Sequence, residues 1–109
     1  MNDTKEAAKI QKLAAKRKSD AIIKIMKKAD AEVTACCLNA LAEINDEASA
    51  NAIAHCLSSS DNATKIAACK AALSINTDYM KTHIQYFMSK ETDEDVKKQV
   101  QELINASRR

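Results

Sequence analysis

Residues 30–45 read DAEVTACCLNALAEIN, and residues 61–76 read DNATKIAACKAALSIN. The same segment is written twice, 31 positions apart. A third, looser copy, DEDVKKQVQELINA, begins at Asp93, 32 positions further on. Self-similarity at a period of this size marks stacked supersecondary units, because one unit cannot bury its apolar face without a neighbour. Such stacks offer a surface for holding something more readily than a pocket for chemistry.

Each copy is helical. Val33, Cys37, Ala40 and Leu41 stand at i, i+4, i+7 and i+8, one face of a 3.6-residue period. Ala68, Ala71 and Ala72 repeat that face, as do Val96, Val100, Leu103 and Ile104. The 109 residues include no Gly and no Pro, and only 3 % aromatics. Strand hairpins and sharp loops lean on Gly and Pro, so the composition favours helices joined by short polar turns. The core must come from Ala, Ile, Leu, Val, Met and Cys.

The punctuation predicts seven helices, near 3–17, 20–28, 31–44, 47–59, 62–75, 78–89 and 93–107. Asp30, Asp46, Asp61, Asp78 and Asp93 suit N-caps or first turns, where a carboxylate meets free N–H groups and the positive dipole end. Asn45 and Asn76 suit the left-handed residue that closes a helix, a post Asn fills best where Gly is absent. The first 28 residues read either as one long helix that rolls onto a new neighbour or as two helices, and the phase of the apolar stripe favours two. Ile22, Ile25 and Met26 lie far around from the stripe of Ala7, Ile10 and Ala14, so a break is expected near Ser19, with Ser19 or Asp20 as cap. The pairs are then 20–44, 47–75 and 78–107 in one all-α domain spanning 1–109, with helix 3–17 left over.

The motif D-x-x-V-x-x-x-A-x-x-A-L-x-x-I, after a helix with two apolar residues four apart, resembles the HEAT repeat family. Here it stands as Asp30, Val33, Cys37, Ala40, Leu41 and Ile44, preceded by Ile22 and Met26. The second copy keeps Asp61, Ala68, Ala71 and Ile75, with Thr64 and Ala72 as departures; the third keeps Asp93, Val96, Leu103 and Ile104. The resemblance covers residues 18–107. It implies a short right-handed α-α superhelix, first helices convex and second helices concave, with the concave side as the partner surface. The family often carries Arg after the Val position; Thr34, Lys65 and Lys97 stand there instead, against an Asp–Arg ladder.

Three surface features follow. A second apolar stripe, Ile66, Cys69 and Leu73, lies nearly opposite the core face of 62–75, with Ala35, Leu38 and Ala42 matching it in 31–44. Under the implied geometry it forms a concave strip that grips an apolar or amphipathic partner segment, with Leu38, Ile66, Cys69 and Leu73 as contacts and Lys65 and Lys70 as a polar border. The other possibility is that both sides of the inner helix are core. Second, Lys5, Lys9, Lys12 and Lys16 make a basic row on helix 3–17, either a solvated cap or a seat for a polyanion such as nucleic acid. Residues 1–28 carry nine Lys or Arg against three Asp or Glu, giving +6, while residues 29–109 carry eight against twelve, giving −4 and a net +2. Third, Tyr79, His83 and Tyr86 share a flank, expected to rim the core at the open end of the stack.

Catalysis finds no support. His55 and His83 are the only histidines, and neither precedes Glu. Cys36, Cys37, Cys56 and Cys69 lack CxxC spacing, and the expectation is reduced core thiols in a cytoplasmic protein. No glycine-rich loop exists for a nucleotide, and no apolar run of about 18 residues exists to span a membrane. The expectation is a non-catalytic module without metal or cofactor, a monomer or weak homodimer, holding another protein.

Overall fold

The computed structural model describes residues 2–107. Seven helices run in chain order: α1 Asn2–Ala15, α2 Ser19–Met26, α3 Ala31–Ile44, α4 Glu47–Cys56, α5 Asn62–Ile75, α6 Asp78–Lys90 and α7 Glu94–Ser107. Among the described residues there is no strand. The odd helices stack in one layer, α1 on α3, α3 on α5 and α5 on α7. The even helices form the other, α2 on α4 and α4 on α6. The result is a short HEAT-like solenoid of 35 × 27 × 24 Å.

The helices begin and end where their side chains tell them to. Asp30, Asp46 and Asp61 accept hydrogen bonds from the amides of Val33, Ser49 and Thr64 at 2.9, 2.8 and 2.9 Å. Thr77 caps α6 through the Met80 amide, leaving Asp78 in the first turn. Asn45 and Asn76 take φ of 53° and 57° and close α3 and α5 by donating to Leu41 and Ala72 carbonyls. Each N-terminal side-chain cap stabilises its helix by about 1 kcal/mol.

Two expectations shift. Neither Ser19 nor Asp20 caps α2. The preceding residue, Lys18, occupies the cap position without a side-chain bond. The Ser19 hydroxyl is drawn away to Asp46 Oδ2 at 2.8 Å, and the chain breaks one residue earlier, at left-handed Arg17 (φ 56°). Helix α4 stops at Cys56 rather than residue 59. Its tail tightens into i→i+3 bonds from Leu57, Ser58 and Ser59 to Ala54, His55 and Cys56.

One core runs between the layers. Ile22, Ile53, Met80 and Ile84 come from the even helices; Ile10, Cys37, Leu41, Ala68, Ala72, Val96 and Val100 come from the odd ones. Burial pushes the Cys37 and Cys69 thiols up to about 12, with smaller contributions from Cys36, Glu6 and Cys56 at Cys37 and from Glu91 at Cys69. Both behave as small apolar residues.

The second apolar stripe does not form a free concave strip. Leu38 and Cys69 are 0 % exposed, so they are core residues and cannot touch a partner. The stripe is where one repeat stacks on the next. Helix α7 has no helix beyond it in the structure, and the matching positions there are Lys98, Gln101 and Asn105, all exposed. The open spine of the odd layer lies further round, through Asn39 and Glu43 on α3 and Lys70 and Ser74 on α5.

Candidate functional site

Helix α4 reads EASANAIAHC, with alanine at 48, 50, 52 and 54, and α2 has only 8 residues. Small side chains on a short neighbour leave space that larger residues would fill. Between the two helices lies a trough of about 670 Å³. Ile23 and Met26 of α2 and Ala48, Ala52 and Cys56 of α4 give it an apolar lining. Lys27, Asn51 and His55, all exposed, form a polar rim. Thr34 and Thr64 border it from the first turns of α3 and α5. Ile23, Met26, Ala48 and Ala52 remain half-buried, so the lining is open to an occupant.

A second cleft of about 290 Å³ lies on the other side of α4, against α6. Here stand the aromatics expected at the open end of the stack. They face back across α4 instead: the Tyr79 hydroxyl donates to Asn51 Oδ1 at 3.0 Å, and His83 and Tyr86 line the cleft. Tyr79 and His83 meet edge-on at 4.5 Å, and Lys90 sits 5.6 Å from the Tyr86 ring centre. Tyr79 and Tyr86 are 48 % and 65 % exposed.

The remaining residues of the expected concave site scatter. Ile66 and Leu73 are half-buried, and Lys70 is exposed. Leu73 borders a separate cleft with Ile84 and Ile104. Lys65 is not a free border. Its ammonium lies 2.7 Å from Glu91 Oε1, while Glu91 Oε2 accepts from the Thr92 and Asp93 amides at 3.0 Å. The Lys65 bond, then the Asp93 amide, hold the Glu91 carboxyl below its ordinary range. With Asn62 donating to Asp93 at 3.1 Å, this bridge ties α5 to the turn before α7. An Asp–Arg ladder was not expected here, and a Lys–Glu pair takes up that kind of contact between repeats.

The preceding junction has its own polar bridge. Arg17 donates to the Ile44 carbonyl at 2.8 Å, beside the Ser19–Asp46 bond. The buried Ser49 hydroxyl approaches Asp46 without good hydrogen-bond geometry. That hydroxyl, the Ser49 amide, Ser19 and the Arg17 charge hold the Asp46 carboxyl below the usual carboxylate range.

The trough escaped the sequence because its signal is an absence of bulk. The alternating alanines of α4 beside Ile23 and Met26 were the available clue. Among the described residues, no group of three or more His, Cys, Asp or Glu is placed to hold a metal ion. No helix there is long and apolar enough to cross a membrane.

Two packed layers of helices, closed by polar turns and with clefts opening between neighbours, define an α-solenoid. Residues 19–105 match the family model for HEAT repeats, and the chain belongs to that family. The match begins at the first residue of α2 and leaves α1 outside it. No curated protein and no solved structure matches the chain significantly. As a HEAT-repeat protein the chain has the general role of such repeats, a scaffold for protein–protein interaction.

Proposed function

We propose that this scaffold holds a partner polypeptide in the trough between α2 and α4. One observation carries the proposal: the trough is a large concavity with an apolar lining and a polar rim, the make-up of a groove for an amphipathic segment. Helix α2 is about 12 Å long and α4 about 15 Å, so two to three turns of a partner helix fit alongside. Its apolar residues would meet Ile23, Met26 and Ala52, and its polar edge would meet Asn51 and His55.

A second protein-binding reading keeps the accessible remainder of the stripe on α5, half-buried Ile66 and Leu73, with exposed Lys70 on the neighbouring open spine. This is what survives of the concave strip implied by the family resemblance. A polyanion would dock elsewhere, on the basic face of α1, which shares no side chain with either surface.

Paired variants separate the two protein-binding surfaces. Met26→Glu with Ala52→Glu places two charges in the trough; Ile66→Glu with Leu73→Glu places two on the odd layer. Partner capture from native lysate is compared with wild type, with helical circular dichroism as the folding control. The expected outcome is loss of capture, tenfold or more, in the trough variant alone. Loss in the odd-layer variant alone moves the site to that face.

A further inference from the structure

We propose that the α1 end of the stack binds the phosphate backbone of duplex nucleic acid without reading its sequence. Lys5, Lys9, Lys12 and Lys16 follow one another at i, i+4, i+7 and i+11 on α1. At 1.5 Å per residue they form a row about 16 Å long on one face of a rigid rod. Core contacts of Ile10 and Ala14 fix the opposite side, with half-buried Leu13 on the flank.

The fold adds cations that the row alone does not show. Helix α2 packs on α1 and brings Lys24 and Lys28 beside Lys5 around a cleft of about 450 Å³. Lys24 also borders the adjoining cleft with Arg17 and Lys18. All nine basic residues between Lys5 and Lys28 are exposed. The ion pair formed among the described residues, Lys65 with Glu91, lies elsewhere. The two clefts set five cations, Lys5, Arg17, Lys18, Lys24 and Lys28, against four acids, Glu6, Asp20 and the helix-capping Asp30 and Asp46, and Lys9, Lys12 and Lys16 add to the positive side along α1. The far end has no such surplus, with Glu94, Asp95 and Glu102 of α7 set against Lys97 and Lys98.

The kind of polyanion follows from what lies between the lysines. The exposed positions there are Ala8, Gln11 and Ala15. Lys and Ala are depleted at protein interfaces, whose anchors are aromatic residues, Met and Arg. A membrane surface needs a broad apolar face, and α1 spends its apolar residues on the core. Single strands are held by stacking on aromatic rings, and the exposed rings, Tyr79 and Tyr86, are on α6. A duplex needs none of these. It presents one negative charge per about 1.7 Å of axis, so the row spans roughly ten phosphates, and each lysine contact gains from counterion release.

The test is fluorescence anisotropy with labelled 20-base-pair duplexes of two unrelated sequences, at 50 and 200 mM NaCl. Equal affinity for both duplexes is expected. With about four phosphates neutralised, affinity falls roughly 100-fold between the two salt concentrations. The quadruple variant Lys5→Gln, Lys9→Gln, Lys12→Gln, Lys16→Gln loses most of that binding and most of the salt slope. Its circular dichroism stays unchanged, and Lys81→Gln with Lys98→Gln binds like wild type. No binding at 50 mM NaCl overturns the proposal, as does binding that the quadruple variant leaves intact. So does preference for polyglutamate, for vesicles of anionic lipid or for a single strand of the same length. Self-association at low salt that the quadruple variant abolishes would make a second copy the occupant, and would equally overturn it.

Discussion

Asp46 does three jobs with one carboxylate. It caps α4 through the Ser49 amide, receives the Ser19 hydroxyl from the preceding junction, and lies within reach of the Arg17 charge. These contacts lower its pKa below the unfolded value of about 3.9, so the ionised form favours the folded chain. The sign follows directly. The stabilisation is complete above about pH 4 and is lost as pH falls through the unfolded value toward the lower folded one. Thermal unfolding followed from pH 7 to pH 3 is expected to be flat down to about pH 5 and to decline below pH 4. Glu91, lowered by Lys65, contributes in the same direction. Asp46→Asn should start less stable and decline less steeply over the acid range. An unchanged slope would remove Asp46 from the account.

At the scale of the helices, the junctions between repeats are the instructive places. Glu91 spends one oxygen on Lys65 and the other on the Thr92 and Asp93 amides. Its loss orphans an ammonium that is only 15 % exposed and two amides together, whereas loss of Lys65 leaves Glu91 with both amides. Glu91→Ala is therefore expected to cost about 2–4 kcal/mol in urea unfolding, and Lys65→Met about 1 kcal/mol. Equal costs would mean the amide bonds contribute little.

Helix existence and order were legible because caps are local. An Asp three residues before the amide it accepts, and an Asn at a left-handed end, need no knowledge of the rest of the chain. Leu38 and Cys69 were harder. Periodicity says that they share a side with Ile66 and Leu73, but not which helix covers that side. Helix α5 has neighbours in α3, α4, α6 and α7, so nearly its whole circumference is spoken for, and a stripe opposite the core face need not be surface. The polar stripe of α7 held the clue: the same positions turn hydrophilic on the last helix that the structure describes. Ser19 misled for a related reason, since its hydroxyl found a partner 27 positions away instead of its own helix.

For the whole molecule, stability follows the stack. Each helix touches only its near neighbours, and α3 and α5 are enclosed on more sides than α1 or α7. In such quasi-one-dimensional arrays, opening free energy is lowest at the ends. Native-state hydrogen exchange is expected to show the slowest amides in α3 and α5, with α1 and α7 exchanging through partial opening. Uniform protection along the chain would mean a single all-or-none unit.

The two polar bridges lie on opposite edges. Arg17 and Ser19 tie the first junction where α1 and α3 end; Asn62 and Lys65 tie the next where α5 and α7 begin. The first junction is thus bound like a book, with its spine along the Ser19–Asp46 edge. The trough opens on the loose side, where Met26 and Lys27 of one leaf face Ser58 and Ser59 of the other. An occupant thicker than the gap has one easy way to make room, by turning the leaf that carries α1 and its lysines about that spine. Filling one surface would then re-aim the other.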